Sequence, residues 1–255
     1  MSAPWTLLID VGNTHTDIAI DEPKSPLRRR RWPTKALPPS FRAMDEAMAF
    51  PEGPCLGAVI ASVAPPVNGA IRELLEPHLP SVAFVDFQLS GVVATDYPSP
   101  ETIGADRLAN ATAAIHAFGA PAIVVDFGTA VTFDVVDERG AYTGGIIAPG
   151  LAAMTDYFAE KTALLPRIEM RPIDRDIGKS TEEAMLIGAV HGYGHMINGL
   201  LDRVSRALRD GQPQIVLTGG YAELISPDLD RPHEIDPDLT LYGLAKIAEA
   251  QGWAP

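Results

Sequence analysis

The chain has 255 residues, 46% hydrophobic and 21% charged, with 20 Lys and Arg against 33 Asp and Glu for a formal net charge of −13. That is the composition of an ordinary globular protein. The acidity excludes a general binder of nucleic acid or anionic membrane, because phosphate backbones are held mainly by Lys and Arg. Cys55 is the only cysteine, which leaves no intrachain disulfide or thiolate metal cluster and points to a reducing, cytoplasmic setting. The first residues lack the basic region of a signal peptide, and no apolar run approaches the roughly 20 residues that span a bilayer. A soluble protein with no membrane partner is expected.

Periodicity predicts strands over 6–11, 16–20 and 29–33, a helix over 40–49, a strand over 56–61, a helix over 66–76 and a strand over 82–85. Gly104-Ala105-Asp106-Arg107 opens a further helix whose apolar positions include Leu108, Ala111 and Ile115. The second half begins again with strands over 122–126, 130–136 and 142–147 and a helix over 151–162. A long helix over 181–208, a strand over 214–217, a helix opening after Gly219-Gly220 and a last helix over 239–250 follow. Three strands, then helix, strand, helix, in both halves, predicts two α/β domains of related topology with a ligand cleft between them. The boundaries expected are 1–112, joined by 239–250, and 113–238. Loops over 90–102 and 165–179 are long enough to be functional.

Two short segments carry the chemistry. Asp10-Val11-Gly12-Asn13-Thr14 and Asp126-Phe127-Gly128-Thr129 each follow an apolar strand and precede another. Glycine in such a turn lets backbone N–H groups approach an anion, threonine adds a hydroxyl, and aspartate can hold a cation or water beside phosphates. A plain hairpin turn uses the same residues; the repetition is what favours a duplicated nucleotide fold. Asp106 at a helix start complements the helix dipole, while with Arg107 beside it the pair suits a base and a carboxylate clamp. Neither a Walker loop nor a dinucleotide GxGxxG spacing is present. His191 and His195 lie four apart without an intervening Glu, and the glycines around them suggest helix packing rather than zinc. The run Arg28 to Arg31 reads as a solvated strand.

Taken in order, Asp10-Val-Gly-Asn-Thr-His15, Ser62-Val-Ala-Pro65, Tyr97-Pro-Ser-Pro100, Gly104-Ala-Asp-Arg-Leu-Ala-Asn110 and Asp126-Phe-Gly-Thr-Ala130 resemble the motifs of the type III pantothenate kinases of bacterial coenzyme A biosynthesis. So do Gly144-Gly-Ile-Ile-Ala-Pro-Gly150, Thr162-Ala-Leu-Leu-Pro166, Gly178-Lys-Ser-Thr181, Thr218-Gly-Gly220 and Asp238-Leu-Thr-Leu-Tyr-Gly-Leu244. Each motif alone is weak; ten in one order are specific. The segment over 21–49 carries little of this signature.

The resemblance implies two ribonuclease H-like α/β domains of the acetate and sugar kinase, heat-shock chaperone and actin superfamily, usually as a homodimer. It implies phosphorylation of pantothenate by ATP to 4′-phosphopantothenate, with Mg2+ accompanying ATP and a monovalent cation, K+ or NH4+. Asp106 would accept the proton of the pantothenate hydroxyl. Tyr97, Gly104, Ala105, Arg107 and Thr181 would join Asp106 in holding that substrate. Asp10, Val11, Gly12, Asn13, Thr14, His15, Thr16, Asp17 and Thr129 would contact ATP, and Asp126 would ligate the monovalent cation. The alternatives are a nucleotide-binding regulator of the same fold without kinase activity, and a sugar or acetate kinase of the same superfamily.

Overall fold

Near-continuous apolar sequence at Trp5-Thr6-Leu7-Leu8-Ile9 suits a strand covered on both faces. In the computed structural model, which describes residues 2–89, 93–208 and 212–253, that strand is β1 (Trp5–Val11), at the middle of a five-stranded sheet. It pairs antiparallel with β2 (His15–Asp21), which pairs antiparallel with β3 (Arg28–Pro33). On its other side it runs parallel to β4 (Cys55–Ser62), and β4 runs parallel to β5 (Val82–Phe84). The helices α1 (Phe41–Met48) and α2 (Pro65–Leu75) make the crossovers. A two-residue strand, β6 (Ala94–Thr95), precedes α3 (Ala105–Phe118), and the chain ends in α7 (Leu239–Ala250).

Successive strand side chains point to opposite faces, so β1 feeds two cores. Leu7, Ile9 and Val11 pack with Met44 and Met48 of α1 and Ile71 and Leu75 of α2. Leu8 faces the other way, among Leu108 and Ala109 of α3 and Leu241, Leu244 and Ile247 of α7. Each of the buried Leu, Ile, Val and Met side chains among these stabilises the fold by about 1.5–3 kcal/mol relative to exposure. These elements form one unit, residues 1–117 with 238–255.

The second unit, residues 118–237, repeats the plan. β7 (Ala122–Phe127), β8 (Ala130–Val136) and β9 (Ala141–Pro149) form an antiparallel meander. After α4 (Leu151–Lys161) and α5 (Thr181–Ala207), β10 (Gln214–Thr218) returns parallel to β7. A single turn, α6 (Ala222–Ile225), and a short parallel strand, β11 (Glu234–Ile235), follow. Strand order β11-β10-β7-β8-β9 here matches β5-β4-β1-β2-β3 in the first unit. Ile123, Val125 and Phe127 pack against Tyr193, Ile197 and Leu201 of α5.

The helix expected after Gly219-Gly220 is only the four residues of α6, because Pro227 follows within two residues of its end. β11 was not expected; two residues are too short for a period to show. Of the loop expected over 90–102, residues 90–92 lie outside the described residues, and a 3-10 turn closes it at Pro100–Thr102. The four arginines of β3 are exposed. Three of them meet acids: Arg28 with Glu22 at 3.1 Å, Arg29 with Asp238 at 2.6 Å and Arg31 with Asp17 at 2.7 Å. Among the described residues no helix is long and apolar enough to cross a membrane.

Candidate active site

In the first unit the candidate residues gather where β1 and β4 end side by side, Val11 in register with Ser62. Ligands of α/β sheets sit beyond the carboxyl ends of parallel strands. The hairpin between β1 and β2 closes through the Gly12 N–H, which donates to the His15 carbonyl at 2.9 Å. A β-carbon on Gly12 would lie 2.8 Å from that same oxygen, so only glycine makes this turn without displacement. Asp10 and Asp17 are cross-strand partners, a like-charge pairing that is unfavourable unless countered. Arg31 counters it: its Nε and Nη2 donate to the Asp17 carboxylate at 2.7 to 3.0 Å.

Val63, just past β4, links this turn to the start of α3. Its N–H donates to the Val11 carbonyl at 3.0 Å, and its side chain lies 3.6 Å from where a Gly104 β-carbon would be. Asp106, at the second position of α3, folds back so that Oδ1 accepts the N–H of Arg107 at 2.8 Å. Burial pushes the Asp106 carboxyl above the ordinary 3.8, opposed by that N–H and by the Arg107 guanidinium. A carboxylate so raised is a better proton acceptor than a solvated one. Tyr97 stands on the preceding segment, its N–H donating to Thr95 Oγ1 at 3.1 Å.

Two residues outside the expected set support these. Thr34, buried directly after β3, donates through Oγ1 to the Gly12 carbonyl at 2.7 Å and through N–H to the Thr14 carbonyl at 2.9 Å. Nothing in the local sequence marks it, because its partners Gly12 and Thr14 are 22 and 20 residues away. Thr240 of α7 donates to Oδ1 of the fully buried Asn110, one turn along α3 from Asp106, at 2.7 Å. Next to that bond Gly243 presses against α3: a β-carbon there would collide with the Ala109 carbonyl.

In the second unit Asp126 lies one residue before the end of β7 and Thr129 lies exposed in the β7–β8 turn, closed by Gly128 N–H donating to the Ala130 carbonyl at 3.1 Å. Gly219, with φ +87°, lets the loop after β10 approach; a β-carbon there would stand 2.6 Å from Asp126 Oδ1. Gly150 allows a similar approach to the Thr129 carbonyl, to which its N–H donates at 3.2 Å. Thr181 is the exposed first residue of α5, next to Ser180, whose Oγ accepts the Glu183 N–H at 3.1 Å as a helix cap. The Glu183 carboxylate in turn accepts the N–H of Lys179, the residue before the cap, at 2.7 Å.

His191 and His195 have other duties than a metal. His191 Nδ1 lies 2.9 Å from Asp228 and Nε2 3.0 Å from the Ile173 carbonyl, while His195 Nδ1 reaches the His191 carbonyl at 2.7 Å. Among the described residues no three His, Cys, Asp or Glu side chains cluster as a metal cage. Oxygen donors do fit hard cations. Magnesium in phosphate sites takes one or two carboxylates together with the phosphates, not an all-protein cage, and Asp10 and Asp126 each place such a carboxylate one residue before the end of a strand.

The sequence model of the type III pantothenate kinase family matches residues 6–203. A type III pantothenate kinase of Akkermansia muciniphila is 44% identical over 241 residues, covering 93% of this chain and 96% of its own. One of Methylacidiphilum infernorum is 39% identical over 244 residues, covering 95% and 88%. Among solved structures, the activator of 2-hydroxyisocaproyl-CoA dehydratase from Clostridium difficile, with bound ADPNP, superposes with TM-score 0.56 at 10% identity over 97% of both chains. That likeness, at 10% identity, shows the fold alone. By the extent and identity of the sequence matches, this chain belongs to the type III pantothenate kinase family.

Proposed function

We propose that this chain, a kinase by family, transfers the γ-phosphoryl group of ATP to the hydroxyl of pantothenate with Asp106 as the base, the first step of coenzyme A biosynthesis. The observation that carries the reading is the Asp106 carboxyl, half-buried at the start of α3, raised by burial and lying beside Arg107. The pantothenate hydroxyl oxygen would bond to the γ-phosphorus as the bond to the β–γ bridging oxygen breaks, ADP leaving and the proton passing to Asp106. Arg107, with Gly104, Ala105, Tyr97 and Thr181, would hold the substrate, its guanidinium pairing with the pantothenate carboxylate. The segment from Asp10 to Asp17, with Thr129, would hold ATP, the Asp17 carboxylate being fixed by its pair with Arg31. Such a site works by alignment and charge neutralisation rather than by covalent chemistry.

Asp126, brought against the Gly219 backbone, would hold a monovalent cation, K+ or NH4+, and Mg2+ would arrive with ATP. These ions neutralise phosphate charge when bound. The test is a coupled assay of ADP release with Mg2+, ATP and pantothenate across monovalent salts and alternative acceptors. Turnover with pantothenate, faster in potassium than in sodium, is expected. Nucleotide binding with no ADP release on adding pantothenate would point to the regulator, and release with a sugar or acetate to another kinase of the superfamily.

We propose a homodimer on a separate observation. On α4, Leu151 and Thr155 are buried, while Met154, Tyr157 and Phe158 turn outward with exposures of 37%, 61% and 39%, and Ile147 of β9 is 65% exposed. An apolar outer face on a helix whose inner face is already packed marks an interaction surface. We further propose a cytoplasmic location, which the single cysteine, Cys55, suits.

A further inference from the structure

We infer that Thr34 is a positioning residue for the phosphates of ATP, acting through the peptides of the Gly12–Thr14 turn. β3 pairs with β2 so that Pro33 lies opposite His15, at the tip of the hairpin. The next residue therefore arrives beside the turn. Thr34 is 5% exposed, and its hydroxyl donates its single proton to the Gly12 carbonyl at 2.7 Å. The same oxygen lies 3.0 Å from Oγ1 of the fully buried Thr16, which must then be the donor to it. The Thr34 N–H takes the Thr14 carbonyl at 2.9 Å.

Two carbonyls of one turn are thus drawn toward the same side chain and backbone. In a trans peptide the N–H points opposite to the C=O. Holding the Gly12 carbonyl toward Thr34 aims the Asn13 N–H away from it, and holding the Thr14 carbonyl does the same for the His15 N–H. Backbone amides of one turn that face one direction, here those of Asn13 and His15 on either side of Thr14, form an anion-binding concavity. Without the Thr34 hydroxyl, the Gly12–Asn13 peptide is free to rotate and present its carbonyl where a phosphate oxygen would lie.

The inference rests on the reading of this turn as the ATP site, and the experiment separates the two. Binding of MgADP is measured by calorimetry, and KM for ATP and for pantothenate by steady-state assay, for Thr34→Val, Thr34→Ser and Gly12→Ala. Thr34→Val, which keeps the shape and the backbone N–H but removes the hydroxyl, is expected to weaken MgADP and raise KM for ATP by roughly tenfold. KM for pantothenate stays within about twofold, a split that a general loss of structure would not give. Thr34→Ser restores the hydroxyl and should restore binding. If Thr34→Val does not fold, Thr34→Ala removes the same hydroxyl without the branch and is read in the same way. Unchanged MgADP binding in Thr34→Val with weakened binding in Gly12→Ala overturns the role of Thr34 alone. Unchanged binding in both overturns the turn as the nucleotide site, and the inference with it.

Discussion

The Asp106 carboxylate lies over the α-carbon of Gly104, so close that a β-carbon there would stand 2.6 Å from Oδ1. Glycine at 104 is thus a condition for the orientation of the base, since the carboxylate and not the backbone is what an added methyl would move. Gly104→Ala should lower kcat by roughly 10- to 100-fold, as displacements of about 1 Å at reacting groups do, while KM for ATP changes little. Steady-state kinetics with a melting curve checks this. An alanine variant with full activity would mean that the carboxylate need not sit where it does.

Asp106→Asn removes the proton acceptor and keeps an oxygen for the Arg107 N–H. A loss of about 10²- to 10⁴-fold in kcat is expected. In the parent protein kcat/KM for pantothenate should rise with pH as the carboxyl ionises, with its midpoint above the ordinary 3.8 because burial raises it. The rise should disappear in the variant. An unchanged rate in Asp106→Asn would remove the assignment of the base.

Local pattern made the strands and the two acidic turns legible, because apolar runs and glycine-bearing turns are contiguous in the chain. What pattern could not show were contacts closed over long separations. Thr34 reaches Gly12 across 22 residues and Thr240 reaches Asn110 across 130, and no periodicity encodes either bond. The ion pair of Asp17 with Arg31 is likewise invisible to local pattern, since it exists only because β3 lies beside β2. The Arg28 to Arg31 run, read as solvated strand, is exposed, and its acid partners come from three different places in the chain. Proline after α6 shortened a helix whose opening the glycines had marked.

Asp126 is the test of the monovalent cation. Asp126→Asn keeps the shape and loses the charge, and should raise the potassium concentration for half-maximal rate by on the order of tenfold, the scale of one charge-assisted interaction. Gly219→Ala should instead destabilise the fold, since with φ +87° its β-carbon would also meet the Phe127 backbone at 2.7 Å. Titrating activity with potassium, at constant ionic strength, checks the first. A potassium response unchanged in Asp126→Asn would place the cation elsewhere.

The outward face of α4 can be tested without touching the chemistry. Tyr157→Asp introduces a charge at a side chain 61% exposed in the single chain, so the monomer should fold normally. Where aromatic anchors are buried in an interface their loss costs at least about 2 kcal/mol. The dimer should therefore dissociate roughly 30-fold more readily, visible by sedimentation over a dilution series. Identical sedimentation of variant and parent would exclude this face as the contact.

Asp106 should also cost stability where it serves activity. Its folded pKa is raised above 3.8, so between 3.8 and the folded value the native chain binds more protons than the unfolded chain. Stability therefore falls as pH rises through that window, and the deficit stays constant above it. Asparagine has no charge to desolvate and still accepts the Arg107 N–H. At pH 7 Asp106→Asn should be the more stable of the two, seen as a higher Tm. The difference should shrink toward zero as both proteins are taken down toward pH 3.8. A variant that melts no higher than the parent at pH 7 would mean that burial does not strain this carboxylate, and would weaken the case for its raised pKa independently of any rate.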